Sequence, residues 1–190
     1  LQNYGQISEN PQLLNINCST NIGGNNDQDE GISDWNHCNS ISFNPMLNQI
    51  VISSRHMNEF YVIDHSTTIQ EASSHTGGIY GIGGDILYRW GNPQNYNRGN
   101  NADQILYSQH GVNWIPEGYP GEGNFILFNN NHSNNNSAVL EISPPINSDG
   151  SYIMDEVGPF GPESYLWIHE SNFYSGSQSG AFRLPNGNTI

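Results

Sequence analysis

The chain has 190 residues, a formal net charge of −14, 12% charged residues and only four basic side chains. All four are arginine (Arg55, Arg89, Arg98 and Arg183), which leaves no basic footprint for nucleic acid and no polybasic patch for an anionic membrane. No apolar run approaches the roughly 18 residues of a membrane-spanning helix, so asparagine-rich polar loops and short apolar runs must carry the organisation.

Residues 1–33 are polar and rich in Asn, Gln and Gly, and read as an irregular lead-in or insertion. From residue 34 the pattern becomes one of short β-branched and aromatic runs between turn residues, the signature of strands. Asp34-Trp35-Asn36-His37 opens a first unit, followed by runs at Gln49–His56, with strand length over Gln49–Ser54, and at Glu59–Asp64, joined tightly through Met57-Asn58. A glycine-rich connector over 65–84 leads to an outer strand at Asp85–Trp90. That connector has neither the Lys-Ser/Thr pair nor the following helix that a phosphate loop needs. After a second polar connector (91–108), Gln109-His110 restarts the pattern, followed by Asn124–Phe128, Ala138–Ile142 and, past a third connector (143–163), Ser164–Ile168. A third copy starts at Ser179 and runs to Ile190.

No segment sustains a helical period, so the chain reads as all-β. Four short strands repeated in tandem suggest blades of a β-propeller, in which matching positions on successive blades converge on one axis. The boundaries that follow are a lead-in at 1–33, a first blade with its long connectors at 34–108, a second blade at 109–176 and the truncated start of a third at 177–190, all in one propeller. Two blades and part of a third do not close a propeller, so the chain reads as a segment of a longer one. His37 and His110 fall at the same point of the repeat, which makes them the candidate site. Arg55 fits two roles, an anion ligand or an ion-pair partner of Glu59. Trp35, Trp90, Trp114 and Trp167 read as packing between blades. Metal binding by His37, His56 and His110 finds no acidic or cysteine ligand at a suitable spacing, and no metal or other cofactor is expected. Asn17, Asn131 and Asn135 each begin an Asn-x-Ser sequon, a glycan acceptor in a secreted eukaryotic protein. Cys18 and Cys38 are either a disulfide, in an oxidising compartment, or two small buried thiols.

The motifs resemble those of the arylsulfotransferases that work without a nucleotide donor, and most nearly the microbial arylsulfotransferase-like branch. The likeness runs through Asp34–Ile41, Ile50–His56, Leu87–Pro93, Gln109-His110, Trp114–Gly118, Asn129-Asn130 and Ser179–Thr189. It implies a six-bladed propeller with a central funnel. It implies transfer of a sulfuryl group from an aryl sulfate to a phenol through a sulfated histidine, in an extracytoplasmic setting (periplasmic, secreted or at the cell surface). His37 and His110 match the family's funnel histidines and are the candidate catalytic residues; Arg55 and His56 resemble a family motif at the end of the second strand, Asn130 matches a strand-end polar position of the second blade, and these three are the candidate substrate-binding residues. The chemistry suits these residue types, because a guanidinium forks onto a sulfuryl oxyanion and a neutral imidazole attacks sulfur. The chain also departs from the family. The arginine that follows the Asn129-Asn130 position is replaced by Asn131-His132-Ser133, and the third-blade histidine, the nucleophile in the best characterised branch, by Ser179, with His169 the nearest histidine on an outer strand; the readings left open are a nucleophile past residue 190, His37 or His110 in that role, or none. The alternative reading is therefore a non-catalytic extracellular propeller whose partners are glycans or further copies of itself.

Overall fold

A computed structural model describes residues 5–18, 34–133, 136–170 and 172–190. They form two antiparallel four-stranded sheets, each in sequential order. The first comprises β1 (Cys38–Asn44), β2 (Gln49–Ser54), β3 (Glu59–Asp64) and β4 (Ile86–Trp90); the second comprises β5 (His110–Trp114), β6 (Phe125–Ser133), β7 (Asn136–Ile142) and β8 (Trp167–Glu170). Among the described residues no helix is long and apolar enough to cross a membrane.

Asparagine chemistry sets the hairpins. Between β1 and β2, Asn44 Oδ1 accepts the N–H groups of Met46 and Leu47 at 3.0 and 3.2 Å, and Asn48 takes a positive φ of 51°. Asparagine tolerates that left-handed conformation better than most residues. Between β2 and β3, Ser54 pairs with Glu59, so the turn takes in Arg55, His56, Met57 and Asn58, the last with φ 54°. The strand ends at Ser54 as its expected length requires, and Arg55 and His56 stand on the turn just past it, where their side chains escape the alternation of the sheet.

Period-2 alternation builds the core between the sheets. Val51, Phe60, Val62, Tyr88 and Trp90 of the first sheet meet Val112, Trp114, Phe125, Leu127, Leu140 and Ile142 of the second. The centroids of the Phe60 and Phe125 rings lie 4.8 Å apart across the seam, and β5 packs against β1 and β2. The expected packing role therefore holds for Trp90 and Trp114. Trp35 packs partly buried against a smaller cluster of Met57, Tyr61 and Ile86, while Trp167 is 39% exposed.

The long connectors pack against the sheets. Gln49 donates to Gly150 O (2.9 Å) and accepts from Tyr152 (2.8 Å), which fixes the 143–163 connector at the far end of β2 from the Arg55–Asn58 turn. Tyr88 and Trp90 donate to Gly161 O and Pro162 O, each at 2.7 Å. The lead-in is also docked: Ile86 N–H donates to Gln12 O at 2.8 Å and Arg98 to Ser8 O at 2.7 Å. Residues 19–33 of that lead-in lie outside the described residues.

One further reading needs correction. Glu59 pairs with Arg89 and not with Arg55, through a bidentate contact at 3.0 and 2.6 Å with both side chains fully buried. Arg89 also donates to Pro11 O and Leu13 O, so this outer-strand residue is sealed by the lead-in. Residues 182–190 form a short hairpin in which Phe182 and Ile190 exchange hydrogen bonds around Pro185-Asn186-Gly187.

Candidate active site

Antiparallel pairing brings the candidate residues to one end of both sheets. The start of β1 lies beside the end of β2 (Cys38 pairs with Ser54), and the start of β5 lies beside the distal half of β6 (His110 pairs with Phe128). His37 therefore neighbours the Arg55-His56 turn, and His110 neighbours Asn130. Cross-sheet hydrogen bonds join the two corners. Gln109 Nε2 donates to Ser54 O (2.9 Å) and Glu59 O (2.8 Å), Asn58 Oδ1 accepts Ser108 N–H at 2.7 Å, and Asn39 Nδ2 donates to Gln109 O at 2.7 Å.

The first corner is ionic and half-open. His37 has a left-handed backbone (φ 48°), and its carbonyl accepts Arg55 N–H at 3.1 Å. Its Nδ1 is hydrogen-bonded to Asp34 Oδ2, and both side chains are about one-third exposed (32% and 37%). That hydrogen bond, with a further electrostatic contribution from the neighbouring His37, His56 and Arg55, holds the Asp34 carboxyl below its ordinary range against the opposing effect of burial. The His37 and His56 rings are 4.7 Å apart and tilted by 35°. His56 is buried, with Nδ1 2.7 Å from Asp34 O and Nε2 2.8 Å from Arg55 NH1. Because a carbonyl only accepts and a guanidinium only donates, His56 is the Nδ1–H tautomer.

The second corner is neutral and closed. His110 is 7% exposed, and its Nδ1 faces two acceptors, Asn130 Oδ1 at 2.8 Å and Ser108 O at 3.0 Å. It too is therefore the Nδ1–H tautomer, with the lone pair on Nε2. Burial pulls its pKa below the ordinary histidine value of 6.5, the two hydrogen bonds oppose that shift, and the charges of Arg55 and His37 add to it. The charge of the first corner is thus felt at the second. Asn130, expected to bind substrate, is fully buried, and its Nδ2 is committed to Ser175 O (2.8 Å) and Gln178 O (3.0 Å). It orients His110 and ties the second sheet to the segment leading into the third copy.

The departures also take their places. Gly111 packs against Gly180, where an added Cβ would lie 2.8 Å from the Gly180 Cα, so exposed Ser179 stands alongside the His110 strand. His169 pairs with Val139 on β8, at the other edge of the sheet from β5. His132 contacts Glu170 at 3.1 Å rather than replacing the family arginine at the histidine corners. Asn17 and Asn131 are exposed; Asn135 lies outside the described residues. Cys18 and Cys38 are thiols and not a disulfide. Cys18 is buried 3.1 Å from Asn95 Oδ1, whereas Cys38 is exposed at the start of β1.

Asp34 is the residue that sequence reasoning missed. Its Asp-x-x-His spacing was the available signal, but i, i+3 contact requires a turn, and no pattern marks one there. With His37 and His56 it forms a group whose ligand atoms all lie within 4.8 Å of one another, enough donors to hold a metal ion. The Arg55 guanidinium already occupies His56 Nε2, however, and a fixed cation at that point favours an anion over a second cation.

The family model described as arylsulfotransferase (ASST) matches residues 6–153. It begins inside the lead-in, consistent with the docking of residues 5–18 onto the first sheet. No curated protein sequence matches the chain significantly.

Proposed function

The chain belongs to the arylsulfotransferase family, and from that premise we propose that it transfers a sulfuryl group from an aryl sulfate to a phenol, with no nucleotide donor, where the adjoining His37 and His110 corners meet. The observation that carries this reading is the pair of histidines whose Nδ1 atoms both face acceptors, which puts a nucleophilic or basic Nε2 on each ring. Arg55, half-buried beside them, supplies the planar cation for the sulfuryl oxygens; His56 and Asn130 hold Arg55 and His110 in place. An imidazole Nε2 attacks sulfur, the sulfur–oxygen bond to the donor breaks, and the phenolate leaves with the electron pair and takes a proton from water. The acceptor phenol then attacks the same sulfur, loses its proton to a neutral imidazole, and the nitrogen–sulfur bond breaks back to the ring. The two sheets are read as successive propeller blades, which would place both corners at the axial funnel of an extracytoplasmic enzyme.

The test is nitrophenol release from 4-nitrophenyl sulfate by the whole protein, with and without phenol. Phenol-dependent release that is abolished in a folded His37→Ala variant and weakened in a folded His110→Ala variant is the expected result. No release across a panel of donors and acceptors, together with glycan on exposed Asn17 or Asn131, would favour the non-catalytic propeller.

A further inference from the structure

We infer that Asp34 is the positioning residue of a carboxylate–imidazole dyad and that His37, not His110, is the histidine that becomes sulfated. The inference rests on the sulfotransferase reading above. Attack by Nε2 on the donor sulfur forms the nitrogen–sulfur bond, expels the phenolate with the sulfur–oxygen electron pair, and leaves Nδ1–H on a ring that now carries positive charge. That charge needs a partner on the Nδ1 side. Asp34 Oδ2 stands there for His37, so the carboxylate selects the tautomer before attack and balances the ring after it, the logic of an acidic group behind a catalytic histidine. At His110 the same position is filled by neutral acceptors, an asparagine amide and a backbone carbonyl. The buried surroundings of that ring disfavour a cation. His110 is then suited to remain neutral and to accept the proton of the incoming phenol.

The rest of the first corner fits this division. The left-handed backbone at His37 is uncommon for a non-glycine residue and is held by Arg55 N–H on the His37 carbonyl. Arg55 is thereby tied to the backbone of the ring it assists, while its NH1 is steadied by His56. Asp34 carries a second fixing contact, since its own carbonyl faces His56 Nδ1. One short turn, Asp34 to His37, therefore orients two imidazoles, one through a side chain and one through the backbone.

The experiment uses the whole protein with 4-nitrophenyl sulfate and no acceptor, quenched without acid and digested, so that the sulfuryl group is located by mass. Asp34→Asn, Asp34→Ala and Asp34→Glu are then assayed with phenol. The expected result is a sulfuryl group on the His37 peptide. The kcat should fall by about 10²-fold or more in the Asn and Ala variants, with KM within about twofold and partial recovery in Glu. Nitrogen-15 spectra of the resting protein should show His37 as Nδ1–H in wild type and as a mixture of tautomers in Asp34→Asn, a readout independent of turnover and of overall folding. Recovery of the sulfuryl group on His110 or elsewhere, or wild-type kcat in Asp34→Asn, overturns the dyad while sulfotransfer stands. No sulfuryl group on any residue and no phenol-dependent release sinks both readings.

Discussion

His37 and His110 occupy matching places just before and at the start of the first strand of each sheet, yet their surroundings share little. His37 is one-third exposed among Asp34, Arg55 and His56, while His110 is nearly sealed and bonded to an amide and a carbonyl. The two ion pairs of the sheets differ in a similar way. Glu59–Arg89 is fully buried beneath the lead-in, whereas Arg183 keeps 12% of its surface and packs with Glu141 beside Trp167. Repetition of a fold unit thus preserves where side chains are delivered and leaves open what charge surrounds them. One corner is built to carry charge, the other to exclude it.

The sharpest way to break this contrast is by removing each imidazole. His37→Ala should reduce phenol-dependent turnover to background, a loss of about 10⁴-fold or more if the covalent route disappears. His110→Ala should cost only about 10²-fold, the lower end for a general base. Equal losses in steady-state assays would mean that the neutral corner is as essential as the ionic one. The ion pairs come next. Arg89→Met leaves Glu59 as an uncompensated buried carboxylate and should destabilise the protein by about 3–5 kcal/mol. Arg183→Met should cost less, about 2 kcal/mol, because Glu141 keeps the hydrogen bond from Asn124 and the pair is not fully sealed from solvent. Urea unfolding midpoints decide this, and similar values would remove the distinction between the sheets.

A smaller effect concerns protons. The pKa of His110 lies below 6.5 in the folded protein, so the unfolded chain binds more protons in the window between the folded value and 6.5. Stability contributed by keeping this ring neutral is therefore complete above pH 6.5, falls as the pH drops through that window, and changes no further below the folded pKa. Arg55→Gln removes one of the charges that depress it, so the His110 resonance in an NMR titration should move upward. No movement would show that the two corners are not electrostatically joined.

Much of this was legible in the residues. The runs Gln49–Ser54 and Glu59–Asp64 coincide with β2 and β3, because alternation and strand length suffice where both neighbours are present. The four-residue helix α1 (Ile69–Ala72) was missed, although Thr68 and Glu71 form its capping box; one helical turn is too short to show a period. The Glu59–Arg89 pair was hidden for a different reason. Arg89 lies across from Tyr61, hence diagonal to Glu59 on the same face, and such neighbours follow from register rather than from chain proximity. Closeness in sequence favoured Arg55, which the turn at Arg55–Asn58 directs toward the histidines instead. The positions of His37 and His110 followed from the repeat, but their environments did not. Asp34 acts through a local turn, and Asn130 through carbonyls of residues 175 and 178, contacts that no spacing in the repeat announces.

The smallest expected effect separates two uses of the ionic corner. Asp34, His37 and His56 present donor atoms within 4.8 Å of one another, which is how a divalent cation would be gripped. To do so, His56 Nε2 would have to release Arg55, 2.8 Å away, and the guanidinium would remain as a repulsive neighbour. A neutral imidazole that accepts from arginine is better explained as the support of an anion-binding fork, and the carboxylate beside it as the partner of His37. Treatment with a chelator should then leave turnover unchanged. Added zinc should inhibit, with aryl sulfate protecting, because the cation would take the Nδ1 side of His37 and displace the fork. Loss of activity on chelation that is restored by zinc would instead make this corner a metal centre, and the difference between the two histidines would then be one of ligation rather than of charge.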